Sequence, residues 1–223
     1  SERPERPGRP LQAAALPVVY VTAYEILYPC GRLKAGESLL VVGASSGVGV
    51  ACVQIGKLIG ARVIGTSGSV EKLAKLKAIG LDVGIQARGG GFAAQVLEAT
   101  GGKGANLAVN LVGGTAFPEC VRALANQGRV AIVGYVDRTL KSEFDLEAVH
   151  GKRLQIFGVS NAHLTVEQRA EAWRGFVREV LPACADGRIA PVIDKVFSFD
   201  DLPAAKAYVD SNAQLGKVVV RIS

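Results

Sequence analysis

The sequence predicts an α/β protein built on a doubly wound, parallel, six-stranded sheet with helices on both faces, followed by a short C-terminal β-α-β extension. Three observations predict it. Short continuous apolar runs alternate with stretches of helical period along most of the chain, the rhythm of βα units laid around a parallel sheet. A Gly/Ser-rich segment, Gly43–Gly49, stands between the first such run and the first strongly periodic helix. The composition, with 49% apolar residues, 6% aromatics and 27 glycines, supplies a core and suits close packing of helices on strands.

Residues 1–10 alternate proline with charge and are expected to form a disordered lead. Leu11 to Tyr28 reads as helix-rich and is interrupted at Pro17. Ser38–Gly43 is a run expected of a strand buried on both faces. Apolar residues at 48, 51, 52, 55, 58 and 59 give Val48–Ile59 a helical period, and Gly60 stops it. Arg62–Thr66 is the second strand. Ser69 caps a helix that places Leu73, Leu76 and Ile79 on one face, and Gly80 ends it. Asp82–Gln86 is the third strand, Phe92–Ala99 the next helix and Ala105–Val112 the fourth strand. A helix from Ala116 to Leu124, capped by Thr115, leads to a fifth strand (Arg129–Gly134), and Arg153–Val159 is the sixth. Handedness and short connections give the strand order 3-2-1-4-5-6.

After strand six the rhythm changes. Thr165-x-x-Gln168 is a capping box opening a long helix with Trp173, Phe176, Val177, Val180 and Leu181 inward, closed by Pro182. A strand (Val192–Phe199), a helix capped by Asp200 or Asp201, and a last strand (Lys217–Ile222) follow. The expected organisation is a lead (1–10), a nucleotide-binding domain (11–190) and a C-terminal segment (191–223).

Several function classes are excluded. No apolar run reaches the ~18 residues of a membrane span, and the N-terminus lacks the apolar core of a signal peptide, so a cytoplasmic location and no membrane partner are expected. The net charge is +6, but Lys and Arg are scattered and aromatics few, unlike a nucleic-acid interface. Cys30, Cys52, Cys120 and Cys184 include no C-x-x-C pair, so free, mostly buried thiols are expected. The chain contains no Met, which is expected of a processed chain or a piece of something longer.

Gly43-Ala-Ser-Ser-Gly47-Val-Gly49 lies between a buried strand and an amphipathic helix, the context of a Rossmann dinucleotide loop. Free N–H groups and the dipole at the helix start attract a pyrophosphate. Gly49 lets the helix approach the strand, and the small residues at 44 and 46 let a phosphate approach the backbone. The strict G-x-G-x-x-G spacing fails, since it reads Ala44-x-Ser46-x-x-Gly49. Gly43-x-Ser45-x-Gly47 also fits a hydrolase nucleophile elbow, but that chemistry needs a late His, and neither His150 nor His163 follows a late strand in the expected place. A short-chain dehydrogenase would need Tyr-x-x-x-Lys. The residues four beyond Tyr20, Tyr24, Tyr28, Tyr135 and Tyr208 are Tyr24, Tyr28, Arg32, Thr139 and Asn212.

Strand two points to the cofactor. NAD enzymes place an acid at its end to hold the ribose 2′-OH. Here Gly65-Thr-Ser-Gly-Ser-Val-Glu-Lys72 puts Ser67 there, and Ser67, Ser69 and Lys72 together suit a 2′-phosphate. NADPH is therefore expected rather than NADH, with Glu71 serving the helix dipole.

The segments Ala14-Ala-Leu-Pro17, Thr22-Ala-Tyr24, Gly43–Gly49, Val63-Ile-Gly-Thr66 with Glu71-Lys72-Leu73, Gly80-x-Asp82, Thr100-Gly-Gly-x-Gly104, Val112-Gly-Gly114 and Gly216-Lys217-x-Val219 occur in the order found in a known superfamily. The chain resembles the medium-chain dehydrogenase/reductases, in their zinc-free quinone oxidoreductase and enoyl reductase branch. The resemblance implies that Thr22 lies near the nicotinamide carboxamide and that Ser45, Ser46, Gly47, Val48 and Gly49 line the pyrophosphate. It implies that Ser67, Gly68 and Lys72 surround the 2′-phosphate. Asn110, Val112 and Gly113 would line the cofactor after strand four, Gly134 and Tyr135 after strand five, and Ser160 and Asn161 after strand six. Many relatives add a Tyr near the end of strand three, where this chain has Ala87, with Arg88 as a substitute. Where zinc alcohol dehydrogenases carry a ligand Cys, this chain has Val18-Val19-Tyr20, and Glu147-x-x-His150 lacks further ligands, so no metal is expected.

The resemblance also implies a GroES-like domain that is absent from these residues, either removed or lying on another chain or in an earlier part of a megasynthase, and that the segment 191–223 would complete. The expected activity is NADPH-dependent hydride transfer to a quinone or an α,β-unsaturated carbonyl, an enone or enoyl thioester, the latter free or carrier-bound. A non-catalytic NADPH-binding module or inactive remnant is the alternative. The sequence nominates no catalytic acid or base. Relatives dimerise through strand six, which makes Arg153–Val159 the expected edge of a homodimer.

Overall fold

Alternation along the central strands creates the layers. In Ser38–Val42 (β1), Leu39 and Val41 point to one face and Leu40 and Val42 to the other, and all four are buried. A computed structural model describes residues 9–222 and places β1 between Arg62–Ser67 (β2) and Ala105–Asn110 (β4), parallel to both, with Val41 opposite Gly65 and Val109. Val83–Gln86 (β3) lies outside β2, and Leu124–Ile132 (β5) and Gln155–Gly158 (β6) extend the sheet beyond β4. The order is β3-β2-β1-β4-β5-β6, the doubly wound arrangement expected from the sequence.

Leu39, Val41, Val63, Leu107 and Val109 pack with Pro17–Glu25 (α2), Gly47–Ile59 (α3) and Val166–Glu179 (α8). Leu40, Ile64, Ala108 and Val130 pack on the other face, against Ala93–Ala99 (α5) and Phe117–Ala123 (α6). Val70–Lys77 (α4) buries Leu73 and Leu76 as its period predicts, and its N-cap Ser69 accepts from the Lys72 N–H. Gly60 closes α3 with φ of +89°, a conformation glycine adopts without strain.

The start of the chain is helical: Arg9–Ala15 (α1) precedes α2, and a π-turn, Ile26–Cys30, follows it. Of the expected disordered lead, residues 1–8 lie outside the described residues, while Arg9 and Pro10 already stand in α1. Of the cysteines, Cys52 and Cys120 are buried, Cys184 is half-buried and Cys30 is exposed. No described helix is long and apolar enough to cross a membrane.

The structure corrects several local expectations. Strand four ends at Asn110 rather than Val112, because the Asn110 side chain captures the next backbone groups. Thr115 does not cap α6; its hydroxyl donates to Asp137 instead. Strand five begins at Leu124, where a helix end was expected. In α8 the capping box forms and Phe176 is buried, as is Val180 just after it, but Trp173, Val177 and Leu181 are partly exposed. Pro182 does not close that helix. It sits in the first turn of the next one, Leu181–Ala185 (α9), where a missing N–H costs nothing. Asp201 precedes Leu202–Asp210 (α10) without capping it, because its carboxylate accepts from Ser198.

Leu146–Gly151 (α7) leads into β6. The C-terminal segment forms its own parallel pair, Ile193–Ser198 (β7) with Lys217–Arg221 (β8), joined by α10.

Candidate functional site

The phosphate loop is shaped by hydrogen bonds from β2. Thr66 accepts from the Gly43 N–H through its hydroxyl at 3.2 Å and from the Ala44 N–H through its carbonyl at 2.9 Å. Gly43 turns with φ of +85°. Ser46 then caps α3, accepting from the Gly49 N–H at 3.1 Å. The earlier N–H groups, of Gly47 and Val48, have no intrahelical acceptor and stand at the positive end of the helix dipole. A Cβ at position 49 would lie 2.5 Å from the Gly43 carbonyl oxygen, so only glycine allows α3 to seat this close.

A cavity of about 420 Å³ opens beside this loop, lined by Ser45, Ser46, Ser67, Gly68, Lys72 and Arg88 among others. Ser67 is buried, donates to Ser45 Oγ at 3.3 Å and accepts from the Ser69 N–H at 3.3 Å. Arg88 lies across Gly68: a Cβ there would come within 2.5 Å of its Nε. Arg88 makes no ion pair among the described residues. The Lys72 ammonium is engaged differently, donating to the carbonyls of Asn212 at 2.8 Å and Gln214 at 2.9 Å. Partial burial pulls its pKa down from the usual lysine value. Glu71 is a fully exposed carboxylate whose hydrogen bond from Ser69, at 2.6 Å, holds its pKa below the ordinary range.

Asn110 and Asp137 build the loops after strands four and five. Buried Asn110 donates to the Gly113 carbonyl at 2.9 Å and accepts from the N–H groups of Val112 and Gly113 at 3.0 Å each. Asp137 accepts from the Thr115 N–H at 2.8 Å, the Thr115 hydroxyl at 2.5 Å and the Thr139 N–H at 2.8 Å. Desolvation pushes its carboxyl up, but the donors together outweigh that push and hold it below the usual carboxylate range.

A second cavity, about 330 Å³, lies on the other side of Ser46 and is lined by Gly47, Val48, Val133 and Gly134. The expected site residues therefore divide. Ser45, Ser46, Ser67, Gly68, Lys72 and Val112 surround the first cavity, and Gly47, Val48 and Gly134 the second. Asn110, Gly113 and Tyr135 face a separate cavity beside β6. Thr22 lines none of these. Its hydroxyl donates to the Val18 carbonyl at 2.8 Å and accepts from Asn161 Nδ2 at 2.7 Å. Ser160 is exposed and accepts from the Ala162 N–H. Asp137, Asn212 and Gln214 also line the first cavity. No motif announces them, because their placement depends on the path of loops that only the fold fixes.

The fold and the loop define a domain of Rossmann type. The zinc-binding dehydrogenase domain matches residues 47–180. The chain belongs to that family, within the medium-chain dehydrogenase/reductase superfamily. It is 32% identical to one component of the phenolphthiocerol/phthiocerol polyketide synthase of Mycobacterium tuberculosis, over 95% of this chain and 10% of that protein. It is 30% identical to quinone oxidoreductase-like protein 2 of Bos taurus, over 95% of this chain and 60% of that one. It thus spans a tenth and somewhat over half of these two relatives. Among solved structures, a mycobacterial protein complexed with NADPH superposes with a TM-score of 0.84 at 25% identity, covering 94% of this chain and 65% of that one. The CurK enoyl reductase gives 0.78 at 25% identity, over 95% and 62%.

The family's name raises the question of zinc. Cys52 and Cys120 are buried in the clusters on opposite faces of the sheet, and among the described residues no three His, Cys, Asp or Glu side chains converge. These residues do not fit a zinc site.

Proposed function

We propose that this chain is the NADPH-binding domain of a zinc-independent reductase that acts on a quinone or an α,β-unsaturated carbonyl, an enone or enoyl thioester. The observation that carries the cofactor choice is at the end of β2. Ser67 stands where an NAD enzyme has an acid and accepts from the Ser69 N–H, and the guanidinium of Arg88 lies across Gly68 in the same cavity. Arg88 is the better partner for a 2′-phosphate than Lys72, whose ammonium is already shared between two carbonyls. A planar guanidinium also matches a phosphate by paired hydrogen bonds. The NADPH complex of the mycobacterial neighbour supports the same choice, and the names of the bovine relative and of CurK support the substrate classes.

When bound, the reduced nicotinamide supplies the hydride. The chain's own part is to orient it. The N-terminus of α3 holds the diphosphate, Ser67 and Arg88 the adenosine phosphate, and Gly134 admits the nicotinamide half along the second cavity. We assign the substrate-binding surface to a GroES-like domain together with the β7–β8 pair, and a dimer contact to the open edge at β6. The competing reading, a module that binds NADPH without turnover, draws on the partial coverage of the bovine relative.

Titration of the chain with NADPH and NADH tests the cofactor choice. NADPH should bind more tightly, and Arg88→Leu should weaken it at least about tenfold while leaving NADH unchanged. Tighter binding of NADH would overturn the assignment. NADPH oxidation with a quinone and with an enoyl thioester, measured with and without the upstream sequence, separates reductase from binding module.

A further inference from the structure

A smaller cavity, about 210 Å³, lies between α2, α8 and the loop after β6, and shares no lining residue with the two cavities assigned to the dinucleotide. Glu25 from α2 and Arg169 from α8 bring charge to its wall, and Asn161 enters from the loop. The Asn161 amide nitrogen donates to the Thr22 hydroxyl at 2.7 Å, and that hydroxyl donates onward to the Val18 carbonyl at 2.8 Å. Asn161 Oδ1 is buried, and among the described residues nothing donates to it. Glu25 Oε2 is in the same condition.

A buried acceptor without a donor is costly, and helix geometry brings these two together. Glu25 follows Thr22 by three residues, so both side chains stand on one face of α2, a turn apart. The Asn161 amide holds Thr22 with its nitrogen, which leaves its oxygen for the neighbouring turn, where Glu25 stands. Arg169 does not resolve the pair. Among the described residues its guanidinium pairs with no carboxylate, and it donates instead to the backbone carbonyl of Asn161 at 3.4 Å. Trp173, another donor in the wall, makes no hydrogen bond among the described residues. One proton satisfies both oxygens, because a carboxyl O–H is a donor where a carboxylate can only accept. Burial favours that proton by pushing the Glu25 carboxyl above its ordinary range, and the charge of Arg169 pulls the other way with the smaller effect. Tyr24, beside Glu25 on α2, and Cys30, in the π-turn, feel the charge of Glu25 as well. Burial pushes both of them up, so neither carries a charge that competes near neutral pH.

We propose that Glu25 is a proton-holding positioning residue: as a carboxyl it donates to Asn161 Oδ1 and completes a chain from Glu25 through Asn161 and Thr22 to the Val18 carbonyl, which ties the loop after β6 to α2. Loss of the proton sets two acceptors against one another, so the tie weakens as pH rises. The inference does not rest on the cofactor reading, since neither Glu25 nor Asn161 lines the cleft assigned to the dinucleotide.

The test is a carbon-13 NMR titration of the Glu25 carboxyl in the 223-residue chain, paired with thermal melts over the same pH range. The midpoint is expected above the ordinary glutamate value of about 4.3. Asn161→Leu keeps the bulk and removes the acceptor. It should bring the midpoint down, because only the protonated form made that bond. If burial alone set the titration, the midpoint would stay or rise in this variant, and the proposal falls. Glu25→Gln puts a permanent N–H donor where the proton was. With a folded pKa above the unfolded one, the parent's contribution is present at low pH and lost as pH rises through the folded value. Glu25→Gln should therefore melt about 2–4 °C above the parent at about pH 8, with a gap that closes as pH falls through the parent's midpoint. A Gln variant that melts below the parent at about pH 8 overturns the proposal, because the ionised carboxylate would then be the stabilising form. So does a gap that does not change with pH, or a parent midpoint at or below about 4.3.

Discussion

The two ends of the sheet's carboxyl edge are built to different degrees. Over β1 and β2 the polar groups are tied to one another: Thr66 to the phosphate loop, Ser67 to Ser45, and Lys72 to the 212–214 backbone. Over β5 and β6 the chain instead presents apolar side chains to solvent, with Leu140 and Leu146 exposed at 76% and 72%. The first end is a polar cleft organised before any ligand arrives. The second has the character of a surface made to be covered. The difference teaches that one part of the edge is organised by internal hydrogen bonds, whereas the other is an open apolar surface.

The comparison can be broken most severely with a matched pair of glycine substitutions. At Gly49 a side chain would meet the carbonyl oxygens of Gly43 and Ala44, at 2.5 and 2.7 Å, and neither backbone group can yield without opening the loop. Gly49→Val should abolish dinucleotide binding and cost about 2–4 kcal/mol of stability. At Gly158, the last residue of β6, an added Cβ meets nothing within 4 Å. Gly158→Ala should stay within about 0.5 kcal/mol of the parent and keep its cofactor affinity. Thermal melts and NADPH fluorescence titrations read both. Equal effects at the two positions would mean that the loop tolerates distortion and that its geometry is not what holds the ligand.

The middle of the edge is tied by Asp137, which joins the loops after β4 and β5. Its desolvation is outweighed by donors from Thr115 and Thr139, so its folded pKa is depressed. Its stabilising contribution is therefore present above the unfolded value of about 3.9. That contribution fades as pH falls through the folded value. Asp137→Asn keeps the shape but loses the charge-assisted bonds, and should destabilise the chain by about 1 kcal/mol near neutral pH, a figure kept small by partial exposure. In urea melts the gap between parent and variant should close below about pH 4. A gap that persists unchanged at about pH 3, below the unfolded value, would assign the effect to shape rather than to charge.

The polar end is also the end that was legible in the sequence. Buried parallel strands, a caps-and-glycine helix grammar and the Gly43–Gly49 segment are local signals, and they fixed the strand order and the position of the phosphate loop. Ser67 could be read because an acid is missing at one definable place. Arg88 could be named only as a substitute, because its reach across Gly68 depends on how β3 ends beside β2. Thr115 looked like a helix cap, and local preference does favour that. A carboxylate 22 residues away, on Asp137, won its hydroxyl. The inward face expected for α8 failed at Trp173 and Val177 for a related reason. Periodicity gives the apolar stripe of a helix, but the width of the surface that covers it is set by tertiary packing. Gln214 carried no sequence signal at all.

The smallest effect is expected at the open edge. Ile156 projects from β6 and is 37% exposed, beside a row of backbone groups with no neighbouring strand among the described residues. If two copies pair along β6, Ile156→Lys sets like charges facing one another across the contact and should convert a dimer to a monomer in light scattering. Stability should change by no more than about 0.5 kcal/mol, as for a surface substitution, and NADPH affinity should not change. A dimer that survives the substitution removes β6 as the contact. A monomer that also loses cofactor affinity would sharpen the comparison differently, because it would show that the apolar end of the edge supports the polar end, and that the two do not act independently.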